Sequence, residues 1–399
     1  MKITSVDIIK TFREPSRNAE IAVGGVPWHP VCVRINTDEG ISGYGEIGVA
    51  YGNAQNAGFG MGVDFAKCII GMDPLNSEEI WDRLHRLTFW GMGNGGVIMA
   101  GISGIDIALW DIRGKAFQAP VYQLLGGRTN KKLRAYASQL QFDWGKVSKA
   151  LSKPEEYAEA ARKAMADGFT AVKVDPIGFD KNGNWMGWSS RGILKREQLD
   201  MAVKRVEAMR EAGPDLDIII ELHALTDANT SVQLGRELER LNCFYYEEPT
   251  QPLNPALFKE ISAKVKIPVA TGERVYTRWG YRPFFEDHSI GIIQPDLCNT
   301  GGITEGKKIC DMAHVYDIGV QVHCCGGPIS AAAALQLEAV IPNFVIHELH
   351  ASALIQDNID LCKYDYQAVD GYFEVPDRPG IGQELTEEAI AGSEVVTVK

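Results

Sequence analysis

Glu221, Glu247 and Glu273 each close a short apolar run, and both intervals between them are 26 residues. A strand–helix unit of a parallel barrel takes about this length, because a barrel of eight units uses roughly 250 residues. Equal spacing therefore puts three carboxylates at the C-terminal ends of three successive strands, on one face. The rhythm continues in both directions. Expected strands cover 133–138, 170–175, 217–221, 243–247, 268–271, 291–294, 319–322 and 344–348. Amphipathic helical stretches separate them, among them 154–167, with proline in its first turn, and 196–212. Strands alternating with helices imply a parallel sheet, and eight of them imply a closed barrel.

A chain of 399 residues exceeds what one core holds, so a second, smaller domain is expected. Upstream of the barrel, 1–10, 29–37 and 43–48 read as strands, and the turn Thr37-Asp38-Glu39-Gly40 suggests an antiparallel pair. Helical patterns follow near 54–70, 77–89 and 97–117, the last containing SGIDIALWDIRGKAF, and Gly126-Gly127 ends the region. The expected division is an α+β cap at 1–128, the barrel at 129–360, and a segment at 361–399 that folds back onto the cap.

Composition narrows the function. The chain is 45% hydrophobic and 23% charged, as a soluble globular protein is, and no apolar stretch is long enough to span a membrane. Its start, MKITSVDIIK, reads as a strand rather than a signal peptide. Eight cysteines without a Cys-x-x-Cys pair fit reduced thiols and a cytoplasmic protein. A formal net charge of −12 argues against nucleic acid as a partner. An anionic substrate would then be attracted by a metal and a few local cations, not by the overall field.

Barrel sites form at the C-terminal strand ends. There the second strand offers Lys173 and Asp175, the third Glu221 and His223, the fourth Glu247 and Glu248, of which one can face inward. Glu273, Asp296, His323 and Glu348 follow on the remaining strands. Each has a plain structural account alone, as a solvated carboxylate, an ion pair or a tight turn at Cys324-Cys325-Gly326-Gly327; ionisable groups at seven strand ends in register do not. Three carboxylates suit a hard cation such as Mg²⁺, acting as a Lewis acid on a substrate carboxylate. His323, oriented by Asp296, is then the general base. His223 is placed to protonate a leaving hydroxyl, and Lys173 offers a cation to the substrate or to an enediolate. Asp175 is a candidate substrate contact at the same mouth.

SGIDIALWDIRGKAFQAPVYQLLGG, YYEEP, VATGERVYTRW, IIQPDLCNTGGITEGKKI and VHCCGGPISAAAALQ resemble the enolase superfamily in its mandelate racemase-like branch, over nearly the whole chain. Within it the chain is most similar to the acid-sugar dehydratases, the D-galactonate type among them. The resemblance implies a modified TIM-type (β/α)7β barrel with an α+β N-terminal capping domain completed by the C-terminal segment, and often an octamer. It implies Mg²⁺ on Glu221, Glu247 and Glu273, a His323–Asp296 base, His223 as acid, and Glu348 against the substrate or intermediate. It also implies cap loops near 17–29 and 51–60 that close the mouth, with Trp28, His29 and Tyr51 as substrate contacts. In the galactonate type the third-strand ligand is an aspartate. Here it is Glu221, or, in a shifted register, Asp227. Racemases of the branch carry Lys-x-Lys on the second strand; Lys173-x-Asp175 lacks the second lysine. The stretch 177–192 is an insertion without a counterpart.

The expected activity is a Mg²⁺-dependent dehydration of an aldonate or aldarate to a 2-keto-3-deoxy acid. An epimerase or racemase working through the same enediolate is the alternative, and a non-catalytic binding barrel the third reading.

Overall fold

A computed structural model describes residues 1–11, 29–89, 91–146, 148–186 and 192–399. Among them the chain opens with β1 (Ile3–Lys10), β2 (Val31–Thr37) and β3 (Ser42–Ile47), then α1 (Gln55–Ile69), α2 (Ser77–Leu87), α3 (Gly96–Ala116) and the short α4 (Val121–Leu124). Strand–helix pairs follow: β4 (Lys132–Ala137) with α5 (Pro154–Ala166), β5 (Ala171–Val174) with α6 (Arg196–Ala212), β6 (Asp217–Glu221) with α7 (Ala228–Leu238), and β7 (Tyr245–Glu247) with α8 (Pro255–Ser262). Then come β8 (Val269–Thr271) with α9 (Thr277–Glu286), β9 (Ile292–Ile293) with α10 (Gly302–Val315), β10 (Gly319–Val320) with α11 (Pro328–Glu338), and β11 (His347–Leu349). The chain ends with α12 (Gln356–Ile359), β12 (Tyr372–Glu374), α13 (Glu387–Ala391) and β13 (Glu394–Val398).

Strands β4 to β10 pair in parallel in sequence order, and β11 pairs with β4. The bridge Val320↔Phe344 joins β10 to the run-in of β11 and closes the ring. Seven helices alternate with eight strands, as the (β/α)7β expectation requires. β4 meets β5 through Ala137↔Val172 alone, because β12 lies antiparallel along its other half. A separate antiparallel sheet, β13-β1-β2-β3, forms the cap, so the C-terminal strand does return to it.

Strand periodicity builds the site. Tyr136, Ala171, Ile219, Tyr245, Ala270, Ile292 and Ile346 form one buried apolar cluster across the barrel interior. Side chains two residues on point the same way, so the next layer toward the C-terminal mouth holds Ser138, Lys173, Glu221, Glu247, Gln294 and Glu348. An apolar floor therefore lies under a charged layer.

The cap touches the barrel where the barrel needs help. Helix α3 lies directly on β3, since a Cβ at Gly45 would overlap the Gly104 carbonyl oxygen. From α3, Asp106 Oδ2 accepts from Thr304 N (2.9 Å), while Ser103 Oγ accepts from Gly301 N and Gly302 N (2.8 and 3.1 Å). Glu46, at the end of β3, accepts from Gly327 N and Ser330 N (2.7 and 3.1 Å). These bonds satisfy orphan N–H groups at the starts of α10 and α11, where partial positive charge favours an anion. Both helices follow the turns that carry Asp296 and His323.

Burial raises the carboxyls of Asp106 and Glu46 to about 7 despite these bonds. An unfolded carboxyl titrates near 4, so between about pH 4 and 7 the folded chain holds protons that the unfolded chain has lost, and this part of the stability falls as pH rises. Asp106→Asn removes one such group. Its melting temperature relative to the parent is expected to improve from about pH 4 to pH 8, by the equivalent of a few kcal/mol at most. A difference that does not change with pH would mean Asp106 is ionised throughout.

Candidate active site

Lys173 sits at the centre of the charged layer, 1% exposed. Its Nζ lies 2.8 Å from Glu247 Oε1, 2.8 Å from Glu348 Oε1 and 3.4 Å from Glu221 Oε2. Burial would favour the neutral amine, but the three carboxylates win and hold it well above the usual lysine range. Glu348 is further fixed by Ser138 Oγ and Cys324 N, at 2.9 and 3.0 Å. Burial is also the largest influence on Glu348; the Lys173 ammonium overrides it and holds that carboxyl low.

Glu221, Glu247 and Glu273 converge as the spacing predicted: one oxygen of each lies within 4.8 Å of the other two. Parallel register sets Glu221 beside Glu247, while Glu273 enters from the loop after β8. Burial raises Glu221, and it raises Glu247 further with the Glu221 charge adding to it. For Glu273, Arg274 and His323 outweigh burial and bring it down to about 2. Glu247 Oε2 is buried and lacks a hydrogen-bond partner, and Glu221 Oε2, also buried without a hydrogen bond, has the Lys173 ammonium at 3.4 Å. Three buried carboxylates crowded around one ammonium are costly unless a further cation neutralises them, and an all-oxygen donor set fits a hard divalent ion. The triad passes this test. Asp227 does not join it, because its carboxylate caps α7 by accepting from Thr230 N at 2.7 Å.

Two histidines, each backed by an aspartate, open onto one cavity of about 480 Å³. His323 Nδ1 lies 2.8 Å from Asp296 Oδ2, and its Nε2 lies 3.1 Å from Glu273 Oε2. Burial lowers this imidazole's pKa, yet Glu273 dominates and raises it well above the ordinary histidine value. His223 Nδ1 lies 3.4 Å from Asp175 Oδ2. His223 has φ 50°, a left-handed backbone that an L-residue adopts at some cost, and such strain clusters at functional sites. Cys325 lies close enough to Asp296 and His323 for a ligand atom of each to share an ion. That set includes sulfur and draws on the dyad itself, so the glutamate triad is the better match to a hard cation.

Some expectations change. Asp175 is not at the cavity wall. The strand ends at Val174, and the carboxylate turns back to accept from Ile177 N (2.9 Å) and to face His223. His29 is held through its backbone N–H to Ala50 O, and its side chain is not among the cavity's lining groups. Tyr51 does line the cavity, but most of 51–60 is helix α1 rather than loop. Trp28 and nearly all of 17–29 lie outside the described residues. Of the insertion 177–192, the described part is a turn closed by the bridge Phe179↔Trp185 and clamped by buried Arg205, which donates to the carbonyls of Ser152, Pro176, Phe179 and Asp180.

Other groups at the mouth were not foreseen. Arg274 pairs with both Glu273 and Glu248, so the second glutamate of the Glu-Glu pair faces this guanidinium while burial holds it near 8. His350, Gln139, Tyr276 and Asn299 line the cavity as well. His350 stands two residues past Glu348, so alternation alone could have found it.

Fold and site together define a capped-barrel protein of the enolase type. Residues 4–126 match "Mandelate racemase / muconate lactonizing enzyme, N-terminal domain", and residues 156–389 match "Enolase C-terminal domain-like". The chain belongs to this branch of the enolase superfamily. It is 34% identical to a D-galactonate dehydratase of Pectobacterium atrosepticum over 98% of this chain and 94% of that protein. It is 32% identical to another of Variovorax paradoxus over 90% and 89%. Among solved structures, a member of the enolase superfamily from Salmonella Typhimurium superposes with a TM-score of 0.95 at 54% identity, over 100% of both chains. Among the described residues no helix is long and apolar enough to cross a membrane.

Proposed function

We propose that the chain is a carbon–oxygen lyase that dehydrates a sugar acid. The observation that carries this reading is the pair of histidine–aspartate couples, His323–Asp296 and His223–Asp175, facing one cavity beside a carboxylate triad. Dehydration needs one group to take a proton and another to give one, and a pair of this kind supplies both. The relatives' name, D-galactonate dehydratase, supports the same class.

Glu221, Glu247 and Glu273 would hold Mg²⁺, which when bound supplies Lewis acidity toward the substrate carboxylate. Lys173, fixed by its three carboxylates, adds positive charge at the same end of the cavity. Glu273 keeps the His323 ring protonated in the free protein. With a cation on the triad to neutralise Glu273, His323 Nε2 would be free to take the proton alpha to the carboxylate, while Asp296 holds the ring through Nδ1 and stabilises the imidazolium that forms. His223 gives a proton to the departing beta-hydroxyl, which leaves as water. The enol left behind ketonises to a 2-keto-3-deoxy acid, and the two histidines exchange back with solvent. An epimerase would need a second base across the alpha carbon. Lys173 is poorly suited to that task, since three carboxylates stabilise its ammonium form. We also propose the division at 1–128, 129–360 and 361–399, which the pairing of β13 with β1 supports.

The test is incubation with Mg²⁺ and a panel of aldonic and aldaric acids, assayed for 2-keto acid. Alpha-proton exchange in D₂O without keto acid would overturn dehydration in favour of epimerisation. His223→Gln separates the two proton transfers. It is expected to slow keto-acid formation by about 10²-fold while alpha-proton exchange with solvent continues. Equal loss of both would remove His223 from the acid role.

A further inference from the structure

None of the residues lining the cavity comes from 177–186, so this turn does not shape the mouth directly. It is tightly built all the same. Its limbs meet at the bridge Phe179↔Trp185 and at the bond from Met186 N to Gly178 O (3.0 Å), and both aromatic rings pack with Phe142 and Tyr51. Arg205, on α6 and 1% exposed, gives all five of its N–H donors to backbone carbonyls. Nη1 meets Pro176 O and Phe179 O at 2.7 and 2.8 Å. Nη2 meets Ser152 O and Asp180 O at 2.8 and 3.1 Å, and Nε meets Ser152 O at 3.1 Å. A guanidinium with every donor on a carbonyl brings no counter-charge into the interior, a cost that hydrogen bonding offsets only in part. What this anchor holds is the turn that begins at Asp175. The Asp175 N–H donates to Gln141 Oε1 (3.2 Å), its carboxylate accepts from Ile177 N (2.9 Å), and Oδ2 faces His223 Nδ1 at 3.4 Å. Gly178 closes the corner from the other side. A Cβ there would lie 3.1 Å from Asp175 Oδ2 and 3.1 Å from the Trp185 ring, so a side chain would displace one or the other.

We propose that 177–186 is a positioning element for the acid. Arg205 fixes the carbonyls of Pro176 and Phe179, the turn they frame fixes the Asp175 carboxylate, and that carboxylate holds the His223 ring in place at the cavity. The assignment rests on the dehydratase reading and divides its two proton transfers: the turn serves departure of the hydroxyl and not abstraction of the alpha proton, which belongs to His323 across the barrel mouth. Arg205 and Gly178 are positioning residues, since both act only through Asp175. Lysine is a poor substitute for Arg205, because three donors on a point charge do not span four carbonyls.

The test is the ratio of two rates in the Mg²⁺-loaded protein, keto-acid formation and alpha-proton exchange in D₂O, with whichever acid of the panel the parent dehydrates. Gly178→Ala leaves the buried guanidinium and its bonds untouched. It is expected to slow keto-acid formation by about tenfold while exchange stays within about twofold, because a small misplacement of one catalytic group weakens that group's step alone. Arg205→Lys, where it folds, should move the ratio in the same direction. In a His223→Gln background Gly178→Ala should cause no further loss, since the ring it misplaces is already gone. Two rates unchanged or equally lowered in folded Gly178→Ala would overturn the assignment and leave the dehydratase reading standing. So would a further tenfold loss in the double variant. A parent that forms no keto acid from any acid would overturn both.

Discussion

Replacing His323 with asparagine is expected to lower turnover by about 10⁴-fold, the upper end of what a positioned general base contributes. Asparagine keeps a donor toward Asp296 and a similar shape, so the change removes the proton acceptor without opening a void. The residues around it support a clean result: Asp296 is also fixed by Cys298 N at 2.7 Å, and Glu273 by Arg274. Affinity for the acid and for Mg²⁺ should therefore survive. Two measurements decide the matter, single-turnover keto-acid formation and equilibrium binding to the same variant. A loss of tenfold or less would move the base elsewhere, and an equal loss of binding would recast His323 as a ligand contact. A parent protein that binds the acid but never turns it over would return the chain to the non-catalytic reading.

The strand ends were legible because two short-range rules coincide there. A period of two decides which side chain faces inward, and a constant βα length decides how often such a side chain recurs. Lys173, Glu221, Glu247 and Glu348 follow from those rules, since each sits two residues beyond a member of the apolar floor. The observed strands are shorter than expected at their C-terminal ends, Ala171–Val174 against 170–175 and Gly319–Val320 against 319–322. Chain leaving the sheet early is what releases the mouth residues from the pleat: Asp175 turns back toward His223, and His223 itself takes a left-handed backbone. Alternation counted on into those residues fails for Asp175.

What stayed hidden depends on partners distant in sequence. Nothing local says that Asp106 and Glu46 serve the starts of α10 and α11, or that Arg274 would claim Glu248. A buried carboxylate reads the same in sequence whether it meets a metal, a guanidinium or a helix N-terminus. The cap segment SGIDIALWDIRG carried the family resemblance, yet its physical part in the fold became visible only when Ser103 and Asp106 met Gly301, Gly302 and Thr304.

Lys173 offers the sharpest link between stability and function. Its ammonium is the nearest cation to three buried carboxylates, and removing one partner of a buried pair leaves a charge that costs about 3–5 kcal/mol. Lys173→Met is therefore expected to melt well below the parent when metal-free. Protonation absorbs part of that cost, because Glu221 and Glu247 are already raised and lose the charge that held them down. Mg²⁺ should then reverse the order of effects. In the parent an ion on the triad would share Glu221 and Glu247 with Lys173, whereas in the variant that competing charge is gone. Binding should tighten, and ligand binding stabilises as RT ln(1 + [L]/Kd). Melting curves with and without Mg²⁺ should show a larger Mg²⁺-dependent rise in Lys173→Met than in the parent. Turnover should not follow the recovery, since the cation that faces the substrate end of the cavity stays absent; a loss of about 10²-fold or more is expected even when the variant is saturated with metal. If Mg²⁺ raises both proteins equally, the glutamates beside Lys173 do not hold the ion. If turnover recovers with stability, Lys173 only neutralises its neighbours.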